Sequence, residues 1–257
     1  MLPDRAFFYR LADAAKAETL PRFRAGIDVV NKQDGGFDPV TEGDRAAEEA
    51  IRTLIGKEFP DHGILGEEHG NVGLDREHVW VIDPIDGTRA FISGVPVWGT
   101  LIGLYKGGRA VMGLIDQPFT GERYFADGNG STYAGPDGER RLKVRDCGSL
   151  SNATLFTTSP HIFTGEDAVK YREIEQQVRL FRYGTDCYAY ALLAAGHVDL
   201  VIETSLKPYD VGGIIPVIEQ AGGLMTSWDG GRPEMGGRII AAGSRAVHEQ
   251  ALAILSR

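Results

Sequence analysis

Two carboxylates three residues apart close an apolar run. Trp80, Val81 and Ile82 lead into Asp83, Pro84, Ile85, Asp86, Gly87, Thr88 and Arg89. The three apolar residues read as a buried strand that stops at Asp83. Two like charges at its end would each be withdrawn from water beside the other, and a bound cation is the natural remedy. Pro84 fixes one φ and removes a donor. Gly87 permits close approach of a ligand, and Thr88 offers a hydroxyl and an N–H. The run reads as a divalent-metal site with an anion site one step downstream. Asp-Pro and Asp-Gly are ordinary turn pairs, so only the whole run after a hydrophobic strand points to chemistry.

Other acids stand at the ends of expected elements. Gly63–Gly66 reads as a short strand running into Glu67 and Glu68, and adjacent acids on a surface loop are common. Thr41 and Asp44 fit the start of a helix, where hydroxyls and acids satisfy orphan N–H groups. Asp210, before an apolar helical start at Val211, reads as an N-cap, though helix N-termini also hold anions. A set of hard oxygen ligands without His or Cys points to Mg2+, less to Mn2+ or Ca2+. The six histidines form no zinc-enzyme pattern, and His62, His69 and His78 are expected to be solvated. No Walker sequence or nucleophile elbow is present. A carboxylate cluster with an anion-binding turn instead suits phosphate-ester hydrolysis, with metals activating water, binding phosphate oxygens and stabilising the leaving oxygen.

The elements that must position these groups change character along the chain. Residues 4–25 and 42–58 carry helical periodicity, with Pro21 placed to kink or divide the first. Between them a Gly-rich loop carries Lys32, which fits either a phosphate contact or plain solvation. Residues 100–105, 110–115 and 122–125 read as an antiparallel meander with tight turns. Residues 134–150 are polar and suit a boundary, dividing the chain into an α+β half over 1–140 and an α/β half over 141–257. The second half alternates: strands at 153–157, 180–183, 199–203, 223–226 and 238–242, and helices at 165–177, 186–195, 210–220 and 244–256.

Composition narrows the class. The chain has 257 residues, a formal net charge of −9, 42% hydrophobic and 25% charged residues. That is ordinary for a globular protein, and the acidic balance argues against nucleic acid as the main partner. It allows an anionic substrate, because bound cations reverse the field locally. Cys147 and Cys187 suggest neither a zinc site nor a disulfide framework. No apolar run reaches membrane-spanning length, and residues 1–5 lack a signal peptide's apolar core. The expectation is a cytoplasmic protein with no membrane partner.

The motifs carry a family resemblance. Gly66-Glu67-Glu68, Asp83 through Thr88, Tyr209-Asp210-Val211-Gly212-Gly213 and Glu219 through Gly223 together resemble the inositol monophosphatase superfamily of Mg2+-dependent, lithium-sensitive phosphatases. The order is right and the match spans nearly the whole chain; many members have Trp where this chain has Tyr209. The resemblance implies a five-layer α/β/α/β/α sandwich, a homodimer and two to three Mg2+ per site. It implies that Glu67, Asp83 and the Ile85 carbonyl hold one metal, that Asp83, Asp86 and Asp210 hold a second, and that Glu67 faces a weaker third. Asp44 and Thr88 would orient the attacking water, and the N–H groups of Gly87 and Thr88 would cradle the phosphate. Glu68 receives no such role.

Substrate choice must come from elsewhere. Arg182 through Tyr190 resembles the corresponding segment of the histidinol-phosphate phosphatases in this superfamily, as does Arg89 after Thr88. Glu203, seven residues before Asp210, matches a family position that contacts the leaving group. Histidinol phosphate carries an ammonium and an imidazole, and Asp186 and Glu203 suit that cationic end. The plain alternatives are an N-cap for Asp186 and an edge-of-strand acid for Glu203. Arg89 suits either phosphate or a neighbouring carboxylate. The leading expectation is an L-histidinol-phosphate phosphatase. Behind it stand an inositol, sugar or nucleotide monophosphatase and a non-catalytic regulatory protein on the same fold.

Overall fold

A computed structural model describes residues 2–25, 29–31 and 39–257. Lys32 lies outside them. The chain opens with α1 (Arg5–Thr19), β1 (Val29–Asn31), β2 (Pro39–Thr41) and α2 (Glu42–Glu58). Then come β3 (Gly63–Gly66), β4 (His78–Asp86), α3 (Thr88–Ile92), β5 (Gly99–Lys106), β6 (Arg109–Gln117), β7 (Glu122–Ala126), β8 (Ser131–Gly135) and β9 (Gly138–Arg141). The remainder is β10 (Thr154–Thr157), α4 (Gly165–Glu175), β11 (Leu180–Tyr183), α5 (Tyr188–Ala194), β12 (Leu200–Leu206), α6 (Pro208–Gly212), α7 (Ile214–Gln220), β13 (Leu224–Ser227), β14 (Gly237–Ala242) and α8 (Arg245–Leu255).

Strands β3 to β9 form one sheet in sequence order, antiparallel except for β3 beside β4. A second sheet has the order β11-β10-β12-β14-β13. Alternation along each strand decides which layer a side chain enters. On the first sheet Trp80, Ile82, Ile102 and Leu114 pack against α1 and α2, while Leu101 and Ile115 face α5 and α7. On the second, Val201 and Ala241 face that same inner helical layer, whereas Leu200, Ile202 and Ile240 pack against α4 and α8. The result is the five-layer α/β/α/β/α sandwich.

The inner layer comes unusually close to the first sheet. A Cβ on Gly212 would stand 2.7 Å from Val81 Cγ1, and one on Gly103 would stand 2.4 Å from the backbone of Gly212. Only glycines at these positions let α6 settle onto β4 and β5, and α6 carries Asp210. Gly135–Gly138, within the polar stretch, is the tight link between β8 and β9.

Several expected boundaries move. The first helix ends at Thr19, before Pro21, and residues 210–220 hold two helices, α6 and α7, meeting at Gly213. The histidines are not simply solvated: His62 Nδ1 accepts from Trp80 Nε1 at 3.1 Å, and the His62 and His78 rings stack 4.8 Å apart. Among the described residues no helix is long and apolar enough to cross a membrane.

Candidate active site

The strand expected to stop at Asp83 continues to Asp86. Its pairing with β5 becomes irregular between these two residues, with Asp83 opposite Leu101 and Asp86 opposite Gly99. The irregularity re-aims the end of β4, as bulges do. Asp83 follows Val81 by two and shares its inward face. Local bonds then hold the turn. The Ile85 N–H donates to Asp83 Oδ1 at 3.0 Å, the Thr88 hydroxyl to the Ile85 carbonyl at 3.1 Å, and the Thr100 hydroxyl to the Pro84 carbonyl at 2.8 Å. Gly87 has φ 81°, a left-handed conformation that favours glycine, and caps α3. A Cβ there would lie 3.0 Å from the Asp186 carboxylate.

Asp83, Asp86 and Asp210 each offer one oxygen within 4.8 Å of the others. Asp83 is 2% exposed. Burial, reinforced by the charges of Glu67, Asp86, Asp210 and Asp44, pushes its carboxyl well above the usual range. Burial also pushes Asp210 up to about 7, with the charge of Glu67 acting in the same direction and the Lys207 N–H opposing it. Asp86 is raised by burial and by Asp186, yet held by the Cys187 N–H, which donates to Oδ2 at 2.7 Å.

Asp44 is the third residue of α2 rather than a simple cap. Its Oδ2 accepts from the Thr41 N–H at 2.8 Å and the Thr41 hydroxyl at 2.6 Å, a capping box. Its other oxygen is buried without a partner among the described residues, and burial lifts the carboxyl to about 6. Asp210 likewise is not an N-cap but the third residue of α6, accepting from the Lys207 N–H at 2.6 Å. Glu67 is half-buried beside the triad, and its charge opposes ionisation of Asp83, Asp210 and Asp44.

The loop carrying Glu67 is pinned by a residue that sequence reasoning missed. Glu48 is fully buried; Oε2 accepts from the Glu68 N–H at 2.7 Å and Oε1 from Arg52 Nε at 2.7 Å. Its spacing of four from both Asp44 and Arg52 was the available signal, since such residues share a helix face. For Glu68 the geometry reports a backbone contact that holds the loop.

Asp186 and Glu203 come together beside the triad. With Asp86, Asp210, Thr158 and Tyr190 they line a cavity of about 40 Å3. Glu203 does not close its strand: β12, the middle strand of its sheet, runs on to Leu206, and Glu203 is 3% exposed on the inner face. Its Oε1 accepts from the Thr158 N–H at 2.6 Å and the Thr157 hydroxyl at 3.3 Å, and burial pushes it up to about 8. Asp186 is not an N-cap. It sits before α5 at φ 43°, a left-handed position for a residue with a Cβ, and Cys187 takes the cap. Burial lifts it to about 6, while Arg89 and then the neighbouring Thr158 favour its charged form. Arg89 is exposed, with Asp186 as a charged neighbour. Thr158 carried no sequence signal, because only folding places it between these two acids.

The donor set fits a hard divalent cation. It consists of clustered carboxylate oxygens without nitrogen or sulfur, it resists ionisation without a counter-charge, and it borders the orphaned Asp44 oxygen.

The comparisons define the class of protein. The profile of the inositol monophosphatase family matches residues 2–257. The chain belongs to this family of metal-dependent phosphatases. It is 44% identical over 254 residues to the bifunctional phosphatase IMPL2, chloroplastic, of Arabidopsis thaliana, covering 94% of this chain and 72% of that protein. It is 33% identical over 258 residues to a histidinol-phosphatase of Chlorobaculum parvum, covering 99% and 97%. Among solved structures, an inositol monophosphatase from Zymomonas mobilis superposes with a TM-score of 0.87 at 40% identity, covering 98% of this chain and 97% of that one.

Proposed function

We propose that this chain is a Mg2+-dependent phosphatase that hydrolyses L-histidinol phosphate to L-histidinol and phosphate. The carrying observation is a pair of acids, the buried Glu203 and the half-buried Asp186, in the cavity beside the Asp83, Asp86 and Asp210 cluster. The hydroxyls of an uncharged polyol donate to such acids but do not offset their charge. A leaving group with an ammonium and an imidazole does, because each cation restores the charged form of an acid that burial disfavours. The histidinol-phosphatase relative supports the same reading.

In this reading Glu67, Asp83, the Ile85 carbonyl, Asp86 and Asp210 hold the metals. Bound there, Mg2+ supplies Lewis-acid polarisation of the phosphate and lowers the pKa of the attacking water, and Mn2+ is the nearest substitute. Asp44, whose Oδ1 has no partner among the described residues, and the Thr88 hydroxyl orient the attacking water. The N–H groups of Gly87 and Thr88 cradle the phosphate, helped by the left-handed turn at Gly87. Asp186 and Glu203 grip the cationic end, and Arg89 tunes Asp186. The resemblance behind this reading also brings lithium inhibition and a homodimer, each read directly by inhibition and by light scattering.

The rival is an inositol or broad-specificity monophosphatase, favoured by the Zymomonas structure. Purified protein with Mg2+ is assayed against L-histidinol phosphate, inositol 1-phosphate and a sugar phosphate. The reading expects kcat/KM to favour histidinol phosphate by roughly a hundredfold, as charge-paired recognition gives. A preference for inositol phosphate refutes it.

A further inference from the structure

Tyr190 presents an anomaly in the inner layer. Its side chain is 3% exposed and belongs to the core between the sheets. Its hydroxyl is buried and has no hydrogen-bond partner among the described residues. Such a group destabilises a fold, and phenylalanine would fill the same space without that cost. The hydroxyl is not remote from the chemistry. Tyr190 lines the small cavity with Asp86, Asp186, Glu203 and Asp210. Burial, and after it the charges of Glu203, Asp86 and Asp210, hold the hydroxyl protonated.

We propose that Tyr190 is a specificity residue whose hydroxyl hydrogen-bonds the amine-bearing end of the leaving group, completing with Asp186 and Glu203 a three-point grip on an amino-alcohol phosphate. The inference rests on the histidinol-phosphate reading. A phenol donates one hydrogen bond and accepts two. It therefore has lone pairs to offer the substrate ammonium, a partner that the described residues do not supply. An ion pair alone attracts any cation; a fixed hydroxyl adds direction and selects where the nitrogen lies relative to the ester oxygen.

The test is Tyr190→Phe in the full-length, Mg2+-loaded enzyme. The readout is the ratio of kcat/KM for L-histidinol phosphate to that for p-nitrophenyl phosphate, which lacks an amine. The expected result is a fall in this ratio of roughly ten- to a hundredfold, the worth of a hydrogen bond to a charged group. The thermal midpoint should be unchanged or raised, because an unsatisfied group has been removed. A ratio within about twofold of wild type overturns the inference while leaving the substrate reading intact. Wild-type enzyme inactive on histidinol phosphate sinks the substrate reading and this inference with it. A variant that fails to fold also overturns it, since the hydroxyl would then be a structural bond.

Discussion

Replacing Glu203 by glutamine should reshape how stability depends on pH. Burial pushes this carboxyl from its ordinary 4.5 up to about 8 in the native protein. In the unfolded chain it ionises near the ordinary value. A group raised on folding adds stability that is fully present below 4.5 and is lost as pH climbs through about 8. Glutamine keeps a carbonyl for the Thr158 N–H and the Thr157 hydroxyl and has no proton to lose. Over roughly two pH units below the native value, wild type loses about 1.4 kcal/mol per unit relative to the variant, near ~3 kcal/mol in total. For a chain of this size that widens the gap in Tm by roughly 6–12 °C. Asp186, which faces Glu203 and is itself lifted to about 6, titrates in both proteins and cancels to first order. The assay is calorimetric or fluorimetric melting of both proteins in chelator, from about pH 5.5 to about pH 9. Glu203→Gln should match wild type more nearly at the acidic end and exceed it at the alkaline end. Parallel curves would show Glu203 ionising as it does in water, and the burial argument would fail.

Two further outcomes follow from the same geometry. Asp83→Asn should abolish Mg2+-dependent turnover while the metal-free fold melts no lower than wild type, since an amide still accepts from the Ile85 N–H and sheds a buried charge; retained turnover would refute the metal assignment. Gly103→Ala places a Cβ 2.4 Å from the Gly212 backbone, which should lift α6 from β5, cost roughly 1–3 kcal/mol in denaturant unfolding, and raise the Mg2+ concentration needed for half-maximal rate by displacing Asp210. An unchanged Mg2+ requirement would show that α6 is not seated by this contact.

The chain's own pattern carried much of the fold. The α2 boundaries, the antiparallel meander and the alternation after residue 150 were legible, because hydrophobic period and turn residues are local properties. The motif acids were legible too, since two carboxylates closing an apolar strand are costly wherever that strand lies. What local reading could not reach was the continuation of β4 through Asp86. That depends on pairing with Gly99, and strand pairing is supplied by a distant segment.

The inward direction of Glu203 was equally out of reach. An acid closing an apolar run reads as a strand-end residue until β12 is known to run on to Leu206 in mid-sheet, where a period of two turns Glu203 inward with Val201. Asp186 and Tyr190 show the same limit: neither spacing nor propensity reveals that one takes a left-handed turn beside Gly87, or that the other buries a hydroxyl without a partner. The sequence by itself determined which residue types were present for metal and phosphate chemistry, and in what order, because charge and hydrophobicity are properties of single residues and short runs. Only the tertiary structure decided which acids share a cavity. Burial and proximity are collective: they arise when α6, through its own Gly212, settles on Gly103 of β5 and brings Asp210 against Asp83, more than a hundred residues away along the chain.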